Sequence, residues 1–140
     1  MSILNERIAL DTNVFLLGLR RAHPPSERLL THLDHLHLVI PERVLRELSA
    51  NLDSAELNDF HDLFDAASDV LFDCMPPPAD RVEPYRALGC KRGDAFVAAS
   101  LEVLGAATFV TNNRHFLREI SGFPFRIISP EEALAEIEAP

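Results

Sequence analysis

Two aspartates in this 140-residue chain stand where a polar side chain meets an apolar segment. Asp11 directly follows Ile8-Ala9-Leu10, and Asp94 lies at the start of a segment rich in Ala, Val and Leu, just after Lys91 and Arg92. A third polar group, Thr111-Asn112-Asn113, directly follows Thr108-Phe109-Val110. Carboxylates are hard oxygen ligands suited to a divalent cation, and a helix N-terminus keeps a nearby carboxylate ionised, the state such a cation requires. Each aspartate could equally be a helix N-cap, a role worth about 1 kcal/mol, and capping does not exclude ligation. A third acid is harder to place: in the helix expected after Pro41 the core stripe is Val44, Leu45, Leu48 and Leu52, and Glu42 and Glu47 each read first as solvated surface acids. At about 100° per residue, Glu42 and Glu47 each fall about 60° outside that stripe, on opposite edges, so helical geometry leaves the choice open.

The elements that position these residues are legible from periodicity. Short apolar runs at 8–10, 38–40, 70–72, 108–111 and 126–129 predict strands. Helices are predicted after Asp11 through Leu19, from Ser26 as N-cap through Leu36, from Pro41 to about Asn51, over 54–67, over 93–104, around 115–120 and over 131–138. Leu29, Leu30 and Leu33, and likewise Leu57, Phe60, Leu63 and Phe64, form apolar helix faces expected to enter the core. Strands alternating with helices predict a three-layer α/β/α sandwich around a mostly parallel sheet. In such folds ligands sit outside the carboxyl ends of the strands, which is where Asp11 and Asn113 fall.

Composition bounds the alternatives. The length suits a single domain spanning 1–140, and 47% hydrophobic with 25% charged residues excludes intrinsic disorder. The longest uncharged run, 103–113, is far shorter than the roughly 20 apolar residues of a membrane-crossing helix. No signal peptide is evident at the N-terminus, so a cytoplasmic protein is expected. Cys74 and Cys90 lack CxxC spacing and read as idle or buried thiols. A net charge of −9 argues against broad nucleic-acid binding, though not against an enzyme that gathers several acids around a cation. Three neighbouring histidines, His32, His35 and His37, have no cysteine or fourth ligand at a zinc-binding spacing, so surface histidines are expected. Phosphoryl transfer through an aspartyl nucleophile would call for a second Asp two residues after Asp11, where Asn13 stands.

Four segments, in order, resemble the PIN-domain family, which includes VapC-like toxin ribonucleases. Ile8-Ala9-Leu10-Asp11-Thr12-Asn13-Val14-Phe15 resembles the opening strand and first acid of that family. Pro41-Glu42-Arg43-Val44-Leu45-Arg46-Glu47-Leu48 is similar to the helix supplying its second acid, which maps onto Glu47. Arg92-Gly93-Asp94-Ala95-Phe96-Val97-Ala98-Ala99-Ser100-Leu101 resembles the segment bearing the third, Asp94. Thr108-Phe109-Val110-Thr111-Asn112-Asn113-Arg114-His115-Phe116 resembles the late strand and turn where a fourth acid often sits, and here that position is Asn113.

The resemblance implies a PIN fold and an Mg²⁺- or Mn²⁺-dependent endoribonuclease, the toxin of a type II toxin–antitoxin pair. Asp11, Glu47 and Asp94 would hold the metal and Asn113 would assist. Lys91, Arg92, Arg114 and Arg118 flank that site and are candidates for contacts to the RNA phosphates, as is His115 on the turn beside Asn113. An antitoxin protein and a second copy of the chain are the expected protein partners. Because an amide oxygen brings no negative charge, the alternative is a catalytically weak or inactive PIN-like module that binds RNA or a protein partner. Either reading requires Asp11, Glu47 and Asp94 to meet around one pocket.

Overall fold

The computed structural model describes residues 3–64 and 68–139. Among these residues, five strands form one sheet: β1 (Arg7–Leu10), β2 (His37–Ile40), β3 (Asp69–Phe72), β4 (Thr108–Val110) and β5 (Arg126–Ile128). Their spatial order is β3-β2-β1-β4-β5, and every neighbouring pair is parallel. The expected mostly parallel sheet is therefore wholly parallel. Successive residues of a strand face opposite sides, yet Ile8, Ala9 and Leu10 are all buried, so both faces of the centre are covered. β3 is different. Its position at the edge leaves Leu71 and Phe72 exposed.

Among the described residues, seven α-helices join and flank the strands: α1 (Thr12–Leu19), α2 (Pro24–Leu30), α3 (Glu42–Asn51), α4 (Ser54–Asp62), α5 (Ala79–Ala87), α6 (Arg92–Leu104) and α7 (Pro130–Ile137). The expected α/β architecture is the one observed. α1 packs on α2, α3 and α4, α2 on α7, and α6 on both α3 and α5. Leu29, Leu30, Leu33 and Phe60 enter the core as their spacing predicted, while Leu57, Leu63 and Phe64 pack partly buried against it. α6 ends at Gly105, whose φ of +70° is a left-handed conformation that a side chain would strain. No helix among the described residues is long and apolar enough to cross a membrane.

Three local expectations change. Ser26 is not the N-cap of α2 but lies buried within it, and the cap is His23, whose Nδ1 accepts from the Ser26 amide. Pro24 and Pro25 fill the first turn, where a missing N–H leaves nothing unpaired. The helix also stops at Leu30, and a 3₁₀ turn at Leu33–His35 carries the chain into β2 with Leu33 and Leu36 still buried. Helix α4 ends at Asp62, and the final part of the predicted segment, 65–67, lies outside the described residues. Helix α5 was not anticipated at all: it buries only Val82 and Tyr85 and contains Pro84, which argues locally against a helix.

The topology fixes where a ligand can enter. From β1 the chain moves outward to β2 and β3, then returns to the other side of β1 for β4 and β5. The connections leaving β1 and β4 thus diverge at their carboxyl ends, and the crevice opens between Leu10 and Val110.

Close packing beside this crevice is tested at Gly18 in α1. A Cβ there would lie 2.6 Å from Leu30 Cδ1 and 3.0 Å from the Ser26 carbonyl. Although Ala normally favours a helix over Gly, Gly18→Ala should destabilise the fold by about 1–3 kcal/mol through overpacking of α1 on α2. Urea unfolding measures it, and an unchanged or raised midpoint would refute this tight α1–α2 contact.

Candidate active site

Asp11 occupies the first position after β1. Its amide donates to the Val110 carbonyl at 2.8 Å, extending the β1–β4 ladder by one residue, and the Thr111 amide likewise continues to Ile128 at 3.0 Å. These two bonds set Asp11 and Thr111 side by side at the switch in strand order. The Asp11 carboxylate caps α1 through Oδ1, which accepts from the Thr12 amide at 2.8 Å, while Oδ2 accepts from the Thr111 hydroxyl at 2.7 Å. The capping role expected of Asp11 is therefore real, and each oxygen keeps a further lone pair for another donor or a cation.

Asp11 is only 8% exposed. Burial pushes its carboxyl up to about 6, and the negative charges of Asp94 and Glu47 push in the same direction, against the bonds from Thr111 and Thr12. The three acids named from the resemblance are thus electrostatic neighbours. Glu47 Oε1 accepts from the Thr12 hydroxyl at 3.0 Å, and its Oε2 lies 3.8 Å from where a Cβ on Gly93 would stand. Glu42 instead turns to Arg46, with Oε1 2.6 Å from Nη2. Helical angles could not separate these glutamates, but the tertiary contact selects Glu47 as the neighbour of Asp11.

Asp94 sits in the first turn of α6, as its third residue rather than its cap. Lys91 holds the cap position and makes no side-chain capping bond. Burial raises the Asp94 carboxyl, and the positive charges of His115 and Lys91 partly counter that rise. On the β4 side, the Asn113 amide donates to Thr111 Oγ1 at 3.0 Å, while Asn113 Oδ1 accepts from the His115 amide at 3.0 Å. The His115 ring has two acceptors as partners, the Gly89 carbonyl at 3.1 Å from Nε2 and Glu119 Oε2 at 2.9 Å from Nδ1. Both hold the imidazole toward its charged form, the Gly89 carbonyl foremost.

Lys91, Arg92, Arg114 and Arg118 are all exposed at this end of the sheet. Arg114 and Arg118 line a cleft of about 450 Å³ outside β4 and β5, together with Asn112, Ser129, Glu131 and Glu132. Two residues without an assigned role, Thr12 and Thr111, prove central, because their hydroxyls bond to Glu47 and Asp11. The only signal available in the sequence was a small hydroxyl residue next to an acid or amide at a strand end.

The groups set aside from composition remain apart. His32 meets Glu138, His35 lies beside Asp34, and His37 pairs with Asp69 across the edge of the sheet. Cys74 is exposed and Cys90 buried, both free, and burial pushes the Cys90 thiol up to about 11, which keeps it protonated and poor as a nucleophile. Among the described residues, no three His, Cys, Asp or Glu side chains stand close enough to hold an ion as they are. Glu47 and Asp94 are half-exposed, so a cation drawn to Asp11 would find carboxylates able to turn toward it. The donors on offer are hard oxygens alone, a set that fits Mg²⁺ or Mn²⁺ and not a soft metal.

The family model described as PIN domain matches residues 8–122. No curated protein sequence matches the chain. Among solved structures, the fold is similar to VapBC2 from Rickettsia felis, bound there to a DNA fragment from its promoter, with 20% identity and a TM-score of 0.58 over 88% of this chain and 98% of that one. It is similar to FitAcB from Neisseria gonorrhoeae at 20% identity, TM-score 0.56, over 89% and 98% of the two chains. PAE2754 from Pyrobaculum aerophilum is similar at 19% identity, TM-score 0.55, over 96% and 98%.

The raised carboxyl of Asp11 makes a stability prediction. Its value near 6 in the folded chain lies above the ordinary 3.8, so the folded state binds the proton more tightly and stability falls as pH rises from 3.8 through 6. In chelator, Asp11→Asn should stabilise the protein at pH 8 by on the order of 1–3 kcal/mol, and the gain should vanish near pH 4. Urea unfolding at both pH values measures this difference, and a variant less stable at pH 8 would contradict the burial argument.

Proposed function

The chain belongs to the PIN domain family, and from that premise we propose that it is a metal-dependent endoribonuclease, hydrolysing RNA phosphodiester bonds as the toxin of a type II toxin–antitoxin pair. PIN domains are generally nucleases that use divalent metals. The observation that carries the reading is Asp11: a buried carboxylate at the strand-order switch, facing Asp94 and Glu47 as like charges. Such a cluster is unfavourable in isolation and becomes favourable when a cation is shared.

Asp11, Glu47 and Asp94 are the residues that would hold Mg²⁺ or Mn²⁺. An ion bound there supplies an acidified water and neutralises charge on the phosphate. Thr12 and Thr111 orient the carboxylates, leaving each with a lone pair directed elsewhere. Asn113 holds the turn after β4 beside them and contributes an uncharged oxygen. Lys91, Arg92 and Arg114, with Arg118, are exposed cations at this end of the sheet and are the candidates for contacts to the RNA backbone, as is His115. The folds shared with VapBC2 and FitAcB, together with the resemblance to VapC-like toxins, support an antitoxin protein as the partner.

One observation favours a second reading, a PIN-like module that binds RNA or a protein without turnover. At the position where relatives often carry a fourth acid, Asn113 brings no charge, and its side-chain oxygen is already engaged by the His115 amide.

The two readings part on one assay, cleavage of single-stranded RNA in Mn²⁺. Wild-type protein should cut, EDTA should stop it, and Asp11→Asn, Glu47→Gln and Asp94→Asn should each lower the rate by at least about 100-fold while the fold persists by circular dichroism. RNA bound without turnover in Mn²⁺ would establish the second reading, and cleavage that survives EDTA would overturn the first.

A further inference from the structure

A continuous run of hydrogen bonds crosses the site. It begins at Asp11 Oδ2, which accepts from the Thr111 hydroxyl, and Thr111 Oγ1 accepts in turn from the Asn113 amide. Asn113 Oδ1 accepts from the His115 amide, and the His115 ring reaches out from the π-helical turn His115–Glu119 to the Gly89 carbonyl. Gly89, at φ +108°, belongs to the turn between α5 and α6, two residues before Lys91 and five before Asp94. Glu119 fixes the other ring nitrogen, so the imidazole cannot rotate without breaking a bond. Neither ring nitrogen is left over for a phosphate.

We infer that His115 is a positioning residue, which through the Gly89 carbonyl sets the start of α6, and with it Asp94 and Lys91, against Asp11. The two acids come from elements that share no strand pairing. Asp11 is held by the β1–β4 ladder, whereas Asp94 rides on a helix that enters after an exposed turn. Packing of α6 on α3 and α5 fixes the helix axis, and the preceding turn is held to α5 by the Gly89 and Cys90 amides and by buried Cys90, but none of these bonds links it to the β4 side of the site. The His115 bond ties that turn to the segment already anchored on Asp11. Rate depends steeply on such placement, since a misplacement of about 1 Å can cost about 100-fold.

The inference rests on the nuclease reading for its effect on rate, but the clamp itself can be read without turnover. The amide nitrogen of Gln stands close to the place of imidazole Nε2, whereas Asn stops short of it. His115→Gln should therefore keep the Gly89 bond, and His115→Asn and His115→Ala should lose it. Four measurements suffice: hydrogen exchange at residues 89–95, the Mn²⁺ dissociation constant by calorimetry, kcat and KM on single-stranded RNA, and RNA affinity in Ca²⁺.

For His115→Asn and His115→Ala, exchange at 89–95 should speed up and Mn²⁺ binding should weaken several-fold. In the same variants kcat should fall roughly 10- to 100-fold, with KM and RNA affinity within about twofold of wild type. His115→Gln should stay close to wild type in all of these. A rise in KM and loss of RNA affinity with exchange unchanged would make His115 a substrate contact and overturn the inference, as would equal behaviour of the Gln and Asn variants. If wild-type protein does not cut RNA, the nuclease reading fails alone, and exchange and Mn²⁺ affinity still decide the clamp.

Discussion

A carboxylate enclosed at the carboxyl end of the central strand, with two other acids near enough for their charges to act on it, is the constraint around which this site is organised. Removing Asp11 from water disfavours its charge, and the proximity of Asp94 and Glu47 adds to that cost. Two hydrogen bonds, from Thr111 and from the Thr12 amide, offset only part of it. A strained arrangement of this kind survives in a protein when function requires it, and the site is less stable in the absence of a counter-ion than an uncharged one would be. The rest of the local structure holds these acids at one end of the sheet, with Thr12 bonded to Glu47 and Thr111 to Asp11.

The parallel sheet supplies the framework. Parallel strands require crossover helices, and these begin near the carboxyl ends of the strands, so helix N-termini and post-strand residues collect on one side of the molecule. α3 contributes the less obvious part. By packing against both α1 and α6, it places Glu47 between Thr12 and Gly93, bonded to the Thr12 hydroxyl and within van der Waals reach of the start of α6. The turn after β4 closes the arrangement through Thr111, Asn113 and His115.

The acidic balance of the chain also reads differently in three dimensions. Arg20, Arg28, Arg46 and Arg126 are engaged by Glu56, Glu138, Glu42 and Glu136 away from the crevice. Among the described residues, Arg92, Arg114 and Arg118 make no ion pair. These three lie at the carboxyl end of the sheet, whereas Arg7, at the start of β1, and Arg21, after α1, likewise make no ion pair and lie elsewhere.

Periodicity and residue type determined the alternation of strands and helices, the parallel sheet, and the importance of Asp11, because a buried apolar run ending in an acid carries its meaning locally. The same local logic failed where the deciding partner lay far along the chain. Ser26 looked like a cap until His23 and two prolines took the helix start, and α5, with two buried residues and an internal proline, owes its existence to α6 beneath it. Glu42 and Glu47 are equivalent by helical angle, and only the Thr12 hydroxyl, 35 residues away, separates them. The hydrogen-bond partners of Thr111, Asn113 and His115 likewise became visible only when folding brought β4 beside β1 and the Gly89 turn within reach. Hydrogen bonds between residues distant in sequence leave no periodic trace, so such choices belong to the tertiary structure.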